Sequence, residues 1–128
     1  MGYSVLDNHL VQRLDTILTL FETDSEMAIE IKIVKADILN LCNRVLEAKA
    51  LYESIWAEYD NRPEYSKYIG DCLFHLAEIN AQLMDLDIAN TLYIASRKVF
   101  ESIQSDDSQA IIEEIDRRLI KLQRMTNS

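Results

Sequence analysis

The sequence predicts an all-α protein of about six helices, arranged as stacked antiparallel helical hairpins. Three observations predict this. The 128 residues include only 2 Gly and 1 Pro, and sheets and phosphate loops depend on both for turns and close backbone approach. Apolar residues recur at steps of three and four almost everywhere, which is the spacing of one helix face. The breaks between these stretches are only a few residues long, so neighbouring helices run antiparallel. With 48% of the residues hydrophobic, one domain spanning 1–128 can bury a real core.

The first helix is expected over 5–22, with Leu6, Leu10, Leu14, Ile17, Leu18 and Phe21 on one face. Thr23-Asp24-Ser25 breaks it, and Asp24 or Ser25 can cap the second helix. That helix runs to about Cys42, with Ile29, Val34, Ile38 and Leu41 among its apolar positions, and Asn43-Arg44 forms a tight turn. A third helix over 45–59 carries Ala48, Leu51, Tyr52, Ile55 and Tyr59. In Asp60-Asn61-Arg62-Pro63, Asp and Asn favour a cap and Pro suits a first helical turn. The fourth helix then reaches about Leu83, Met84-Asp85 is the second tight turn, and the fifth helix ends near Ile103. Ser105-Asp106-Asp107 breaks it, and the sixth helix covers about 107–125. Acidic residues open that helix and Arg117, Arg118, Lys121 and Arg124 close it, an order that suits the helix dipole.

Composition excludes several functions. Gly2 and Gly70 are the only glycines, so neither a dinucleotide-binding glycine motif nor a P-loop can be written. A formal charge of −9 repels phosphate backbones and anionic membranes, which argues against direct nucleic-acid or membrane binding. It fits a basic partner or simple solubility. Cys42 and Cys72 fall inside apolar helical patterns and read as free thiols. No apolar run approaches the roughly 18 residues of a membrane span, and the N-terminal layout is not that of a signal peptide. The expectation is a cytoplasmic protein.

The chain also matches itself. Ala36-Asp37-Ile38 aligns with Ala77-Glu78-Ile79, Ala48 with Ala89, Leu51-Tyr52 with Leu92-Tyr93, and Tyr59 with Phe100, each at the offset 77 − 36 = 41. A turn lies between the matched pieces in both copies. Small residues late in one helix and early in the next let two backbones approach, and the following aromatic fills the remaining gap. Such hairpins cannot bury their apolar faces alone, so copies stack.

In Met84-Asp85-Leu86-Asp87-Ile88-Ala89 with Leu92-Tyr93, and in Asn43-Arg44-Val45-Leu46-Glu47-Ala48 with Leu51-Tyr52, the chain resembles the tetratricopeptide repeat family. The resemblance covers about 29–60 and 70–103. Leu76-Ala77 suits the family's first-helix pair, whereas Lys35-Ala36 places a Lys where the family has Leu. The offset exceeds that family's usual period. The resemblance implies a binding scaffold whose first helices line a concave groove. By position, the groove residues would be Glu30, Ile33, Val34, Asp37 and Asn40 in one copy. In the other they would be Asp71, Phe74, His75, Glu78 and Gln82. Ala36, Ala48, Tyr52, Ala77, Ala89 and Tyr93 would be the structural repeat residues. A groove with acidic walls and an apolar floor suits a basic or amphipathic protein segment. The same acidic residues also read as a solvated face, and Ile33, Val34 and Phe74 as core.

No catalytic constellation emerges. Cys72, His75 and Glu78 share a helix face, but zinc needs three or four ligands in a closed site, and the other Cys and His are only Cys42 and His9. No Gly-rich oxyanion loop accompanies the trio for nucleophilic chemistry. Trp56 reads as packing between hairpins rather than as a binding hot spot. The expectation is a non-enzymatic interaction module without metal or cofactor: an adaptor, a chaperone, an inhibitor or an immunity-type protein. Two alternatives are an acidic nucleic-acid mimic that blocks a basic protein, which the basic end of the sixth helix dilutes, and a bundle that binds a small ligand. The flanking helices either cap the stack or present an edge for a homodimer.

Overall fold

In a computed structural model of the chain, residues 3–20 and 25–127 are described, with side chains from Asn8 onward. They form α1 (Tyr3–Leu18), α2 (Glu26–Leu41), α3 (Val45–Tyr59), a 3-10 turn (Pro63–Tyr65), α4 (Ser66–Gln82), α5 (Leu86–Ile103) and α6 (Asp106–Thr126). The chain divides into two compact units, Met1–Glu58 and Tyr59–Ser128.

In the first unit, the Ser25 hydroxyl accepts the Ala28 N–H at 3.0 Å and so starts α2. The first helix ends at Leu18 rather than at 22, because the N–H groups of Thr19 and Leu20 turn back to the Thr16 and Ile17 carbonyls at 3.2 and 3.0 Å. The capping role offered to Asp24 and the place of Phe21 lie outside the described residues. So does the Leu6 side chain. α1 packs on α2, tied by Lys35 to Asp15 at 2.5 Å and by Arg44 to Asn8 at 2.6 Å. The apolar face expected of α1 is only partly covered: Leu10 and Ile17 are exposed, and Leu14 and Leu18 are half-buried. Ala28, Ile29, Ile33, Ala36 and Leu39 of α2 are buried, as are Ala48, Tyr52 and Ile55 of α3. Leu41, named among the apolar positions of this helix, is its last residue and is 80% exposed. Leu51 and Trp56 are half-buried.

The turn out of α2 is closed by the backbone. Asn43 takes the left-handed conformation at φ 65. Its N–H bonds to the Asn40 carbonyl at 3.1 Å, and the Arg44 N–H to the Leu39 carbonyl at 2.8 Å. This is the Schellman arrangement, which satisfies carbonyls that a helix end leaves orphaned.

In the second unit, α5 packs against both α4 and α6. The entry to α4 differs from expectation. Neither Asp60 nor Asn61 caps it: Pro63 opens a 3-10 turn preceded by extended Arg62, and α4 begins only at Ser66. Aromatic contacts hold this corner, with Tyr59 edge-on to Tyr65 at 5.2 Å and Arg62 over the Tyr59 ring at 5.6 Å. Ile69, Cys72, Leu73, Leu76 and Ile79 of α4 are buried at helical spacing. Ala89, Leu92, Tyr93 and Phe100 of α5 and Ile112, Ile115 and Leu122 of α6 are buried too. Gly70 marks the closest approach of α4 to α5: a Cβ there would lie 2.8 Å from the Phe100 ring. Ser96 donates to the Gly70 carbonyl at 2.7 Å in the same crossing. Left-handed Gln104 ends α5, and Ser105 caps α6 by accepting the Ser108 N–H at 3.1 Å.

The turn out of α4 repeats the bonds of the turn out of α2. Met84 has φ 65. Its N–H bonds to the Ala81 carbonyl at 3.1 Å, and the Asp85 N–H to the Asn80 carbonyl at 2.9 Å. Each of these atoms lies 84 − 43 = 41 residues after its counterpart. Ala36, Ala48, Ala77 and Ala89 are all fully buried. Among the described residues no helix is long and apolar enough to cross a membrane.

Candidate functional site

The internal correspondence extends to a pair of polar contacts. Tyr52 donates its hydroxyl to the Asp37 carboxylate in the first unit. Tyr93 donates to Glu78 at 2.9 Å in the second. The offset is again 93 − 52 = 78 − 37 = 41. Tyr52 and Tyr93 are buried, so each phenol needs an acceptor, and the first helix of its own hairpin supplies one. Asp37 and Glu78, which the resemblance placed in a groove, therefore also fasten one helix of each hairpin to the other.

Of the remaining α2 positions, Glu30 is exposed, Val34 is 46% exposed and Ile33 is buried. Ile33 thus belongs to the core, the alternative to a groove floor. Asn40 is half-buried, and its Oδ1 accepts no hydrogen bond among the described residues.

The α4 positions do not share one site. Asp71 and His75 approach each other at 3.4 Å. Phe74 stands edge-on to Tyr93 at 5.8 Å. Asp71 lines an open cleft of about 320 Å³ with Lys67, Tyr68, Phe100 and Asp107. Glu78 and Gln82 line a second cleft of about 300 Å³, with Ala81, Tyr93, Arg118, Lys121, Leu122 and Met125.

The second cleft is the better-built candidate. Arg118 of α6 donates to the other Glu78 oxygen at 3.2 Å, so this carboxylate is held by a phenol and a guanidinium together. Burial, and then the charge and hydrogen bond of Glu78, push the Tyr93 phenol well above its ordinary 10.0. Arg118 also reaches Glu114, whose carboxyl is held below its ordinary 4.5 chiefly by Arg117. The lining thus combines Glu78 with Arg118 and Lys121, and these with apolar Ala81, Leu122 and Met125. The groove expectation did not include Arg118, Lys121 or Met125. Their spacing of three and four along α6 marks them as one helix face, but only the packing of α6 shows which helix that face meets.

Among the described residues, no group of three His, Cys, Asp or Glu side chains is placed to hold a metal ion. Cys72 is buried while His75 turns toward Asp71, which separates the trio that shared a helix face in the sequence.

No family model, no curated protein and no solved structure matches this chain.

Proposed function

We propose that this protein is a helical-repeat scaffold that holds a segment of another protein, with no catalytic step of its own. The observation that supports this reading is the repeated hairpin. One turn geometry, one buried alanine pattern and one tyrosine–carboxylate bond recur 41 residues apart. A hairpin used twice is how stacked-repeat scaffolds, tetratricopeptide-like arrays among them, are built. The cleft formed by α4, α5 and α6 is the proposed seat. Because Arg118 already neutralises Glu78, the cleft favours an amphipathic segment over a purely basic one. Apolar partner side chains would rest on Leu122 and Met125, with a polar group between Gln82 and Lys121.

The test uses the full chain, immobilised, to capture proteins from a lysate of the source organism. Lys121→Glu and Met125→Asp alter the cleft at exposed positions, and Glu53→Lys alters exposed α3 as a control. The expected result is a protein retained by the wild type and by Glu53→Lys but lost from both cleft variants. Identical retention by all four chains would refute the assignment of the seat. Stabilisation by a small molecule, with no protein retained, would refute the scaffold reading.

A further inference from the structure

We propose that the outward face of α6 is a self-association surface, pairing two copies of this chain antiparallel about a two-fold axis near Ile115. The inner face of α6 is spent on its own unit through Ser108, Ile112, Ile115 and Leu122, all buried. The outer face presents Asp106, Ala110, Glu113, Arg117, Ile120 and Arg124, all exposed. At about 100° of turn per residue, these six lie within about 40° of a single line.

Their order is self-complementary end for end. Positions equidistant from 115 are 106 and 124, 110 and 120, and 113 and 117. An antiparallel second copy therefore sets Asp106 against Arg124, Ala110 against Ile120, and Glu113 against Arg117. Every level matches an acid with a base or a small apolar residue with a larger one. That is what an isologous two-fold contact needs, since one surface must complement itself. A parallel pair would oppose like charges and align the dipoles unfavourably.

The helix dipole alone does not account for this order. Its influence falls off within the first and last turns, whereas Glu113 and Arg117 sit at the middle of α6. Asp106, Glu113 and Arg124 make no ion pair among the described residues. Arg117 meets Glu114 at 2.7 Å while its side chain stays 67% exposed. Exposed ion pairs alone stabilise little, so the apolar component matters. Ile120 is 52% exposed, and Ile94 of α5, 40% exposed, lines the same open cleft of about 420 Å³. One helix face about 27 Å long is a small contact, at the weak end of specific association.

Sedimentation equilibrium of the full chain tests this, from about 10 µM to about 1 mM. The wild type is expected to dimerise with rising concentration, and less so at high salt. Glu113→Arg and Arg117→Glu, at exposed positions and checked for fold by circular dichroism, should each weaken dimerisation at least about tenfold. An equimolar mixture of these two variants should recover it. There the two reversed positions face each other, and so do the two native ones. A wild type that stays monomeric throughout would overturn the proposal. So would a single reversal that dimerises like the wild type, or a mixture that does not recover.

Discussion

Tyr93 links the chemistry of one side chain to the stability of its unit. Its phenol is neutral and buried, and ionising it would place a second negative charge beside Glu78. Its folded-state pKa lies above its ordinary 10.0. A raised pKa means that the native state holds the proton more tightly than the unfolded chain does. The resulting stabilisation is complete below pH 10 and is lost as pH rises through the folded value. We therefore expect the melting temperature to fall steeply with pH above about 10 in the wild type and less steeply in Tyr93→Phe. At neutral pH that variant should lose about 1 kcal/mol, the usual net contribution of one hydrogen bond. Thermal melts across pH, read by circular dichroism, check both.

Gly70 supplies a second prediction at the same scale. Ala is the better helix former by about 1 kcal/mol. However, its Cβ would sit 2.8 Å from the buried Phe100 ring, so that ring has to move. Overpacking of this kind costs about 1–3 kcal/mol. Gly70→Ala should thus be neutral to destabilising in urea unfolding, and Phe100→Leu in the same chain should offset part of the loss. A clear gain in stability from Gly70→Ala alone would show that α4 and α5 are further apart at this point.

The two hairpin turns share one backbone geometry but not one residue type. Asn43 and Met84 hold the same left-handed geometry, but Asn tolerates it far better than Met. Met84 is also 64% exposed, so it contributes little burial to offset the strain. Met84→Gly is expected to stabilise the protein by up to about 1 kcal/mol, and Asn43→Gly to change it less. Chemical denaturation of the two variants side by side decides this.

Elements also show what the sequence could and could not reveal. The turns at 43 and 84 and the bounds of α3 and α5 were legible because apolar periodicity and short breaks fix them locally. The start of α4 was misread: Asp60 and Asn61 are good caps by type, yet the Tyr59–Tyr65 contact and Pro63 delay the helix to Ser66. The exposure of Leu10, Ile17 and Leu41 was not legible either, since periodicity shows that a face is apolar, not that a partner covers it. The role of α6 in the cleft was missed for the same reason. The bond from Arg118 to Glu78 spans 40 residues and depends on tertiary placement.

For the whole molecule, burial makes the same demand on both hairpins. Ala48 and Ala89 are 0% exposed, so neither site has room for a large charged side chain. Ala48→Arg and Ala89→Arg should each cost several kcal/mol, roughly 3 or more, and lower the thermal midpoint sharply. Wild-type midpoints in both would disprove the register. Charge reversal at Asp37 or Glu78 is a poor probe of partner binding, because each accepts a buried tyrosine hydroxyl and its loss would loosen its own hairpin. Lys121 and Met125 test binding without that penalty.

The proposed scaffold stands on one hairpin used twice. A crystal structure of the full chain tests it most directly, by superimposing residues 26–59 on 67–100. The two backbones are expected to coincide, with the Tyr52–Asp37 and Tyr93–Glu78 bonds overlaid. Hairpins that fail to superimpose would contradict it.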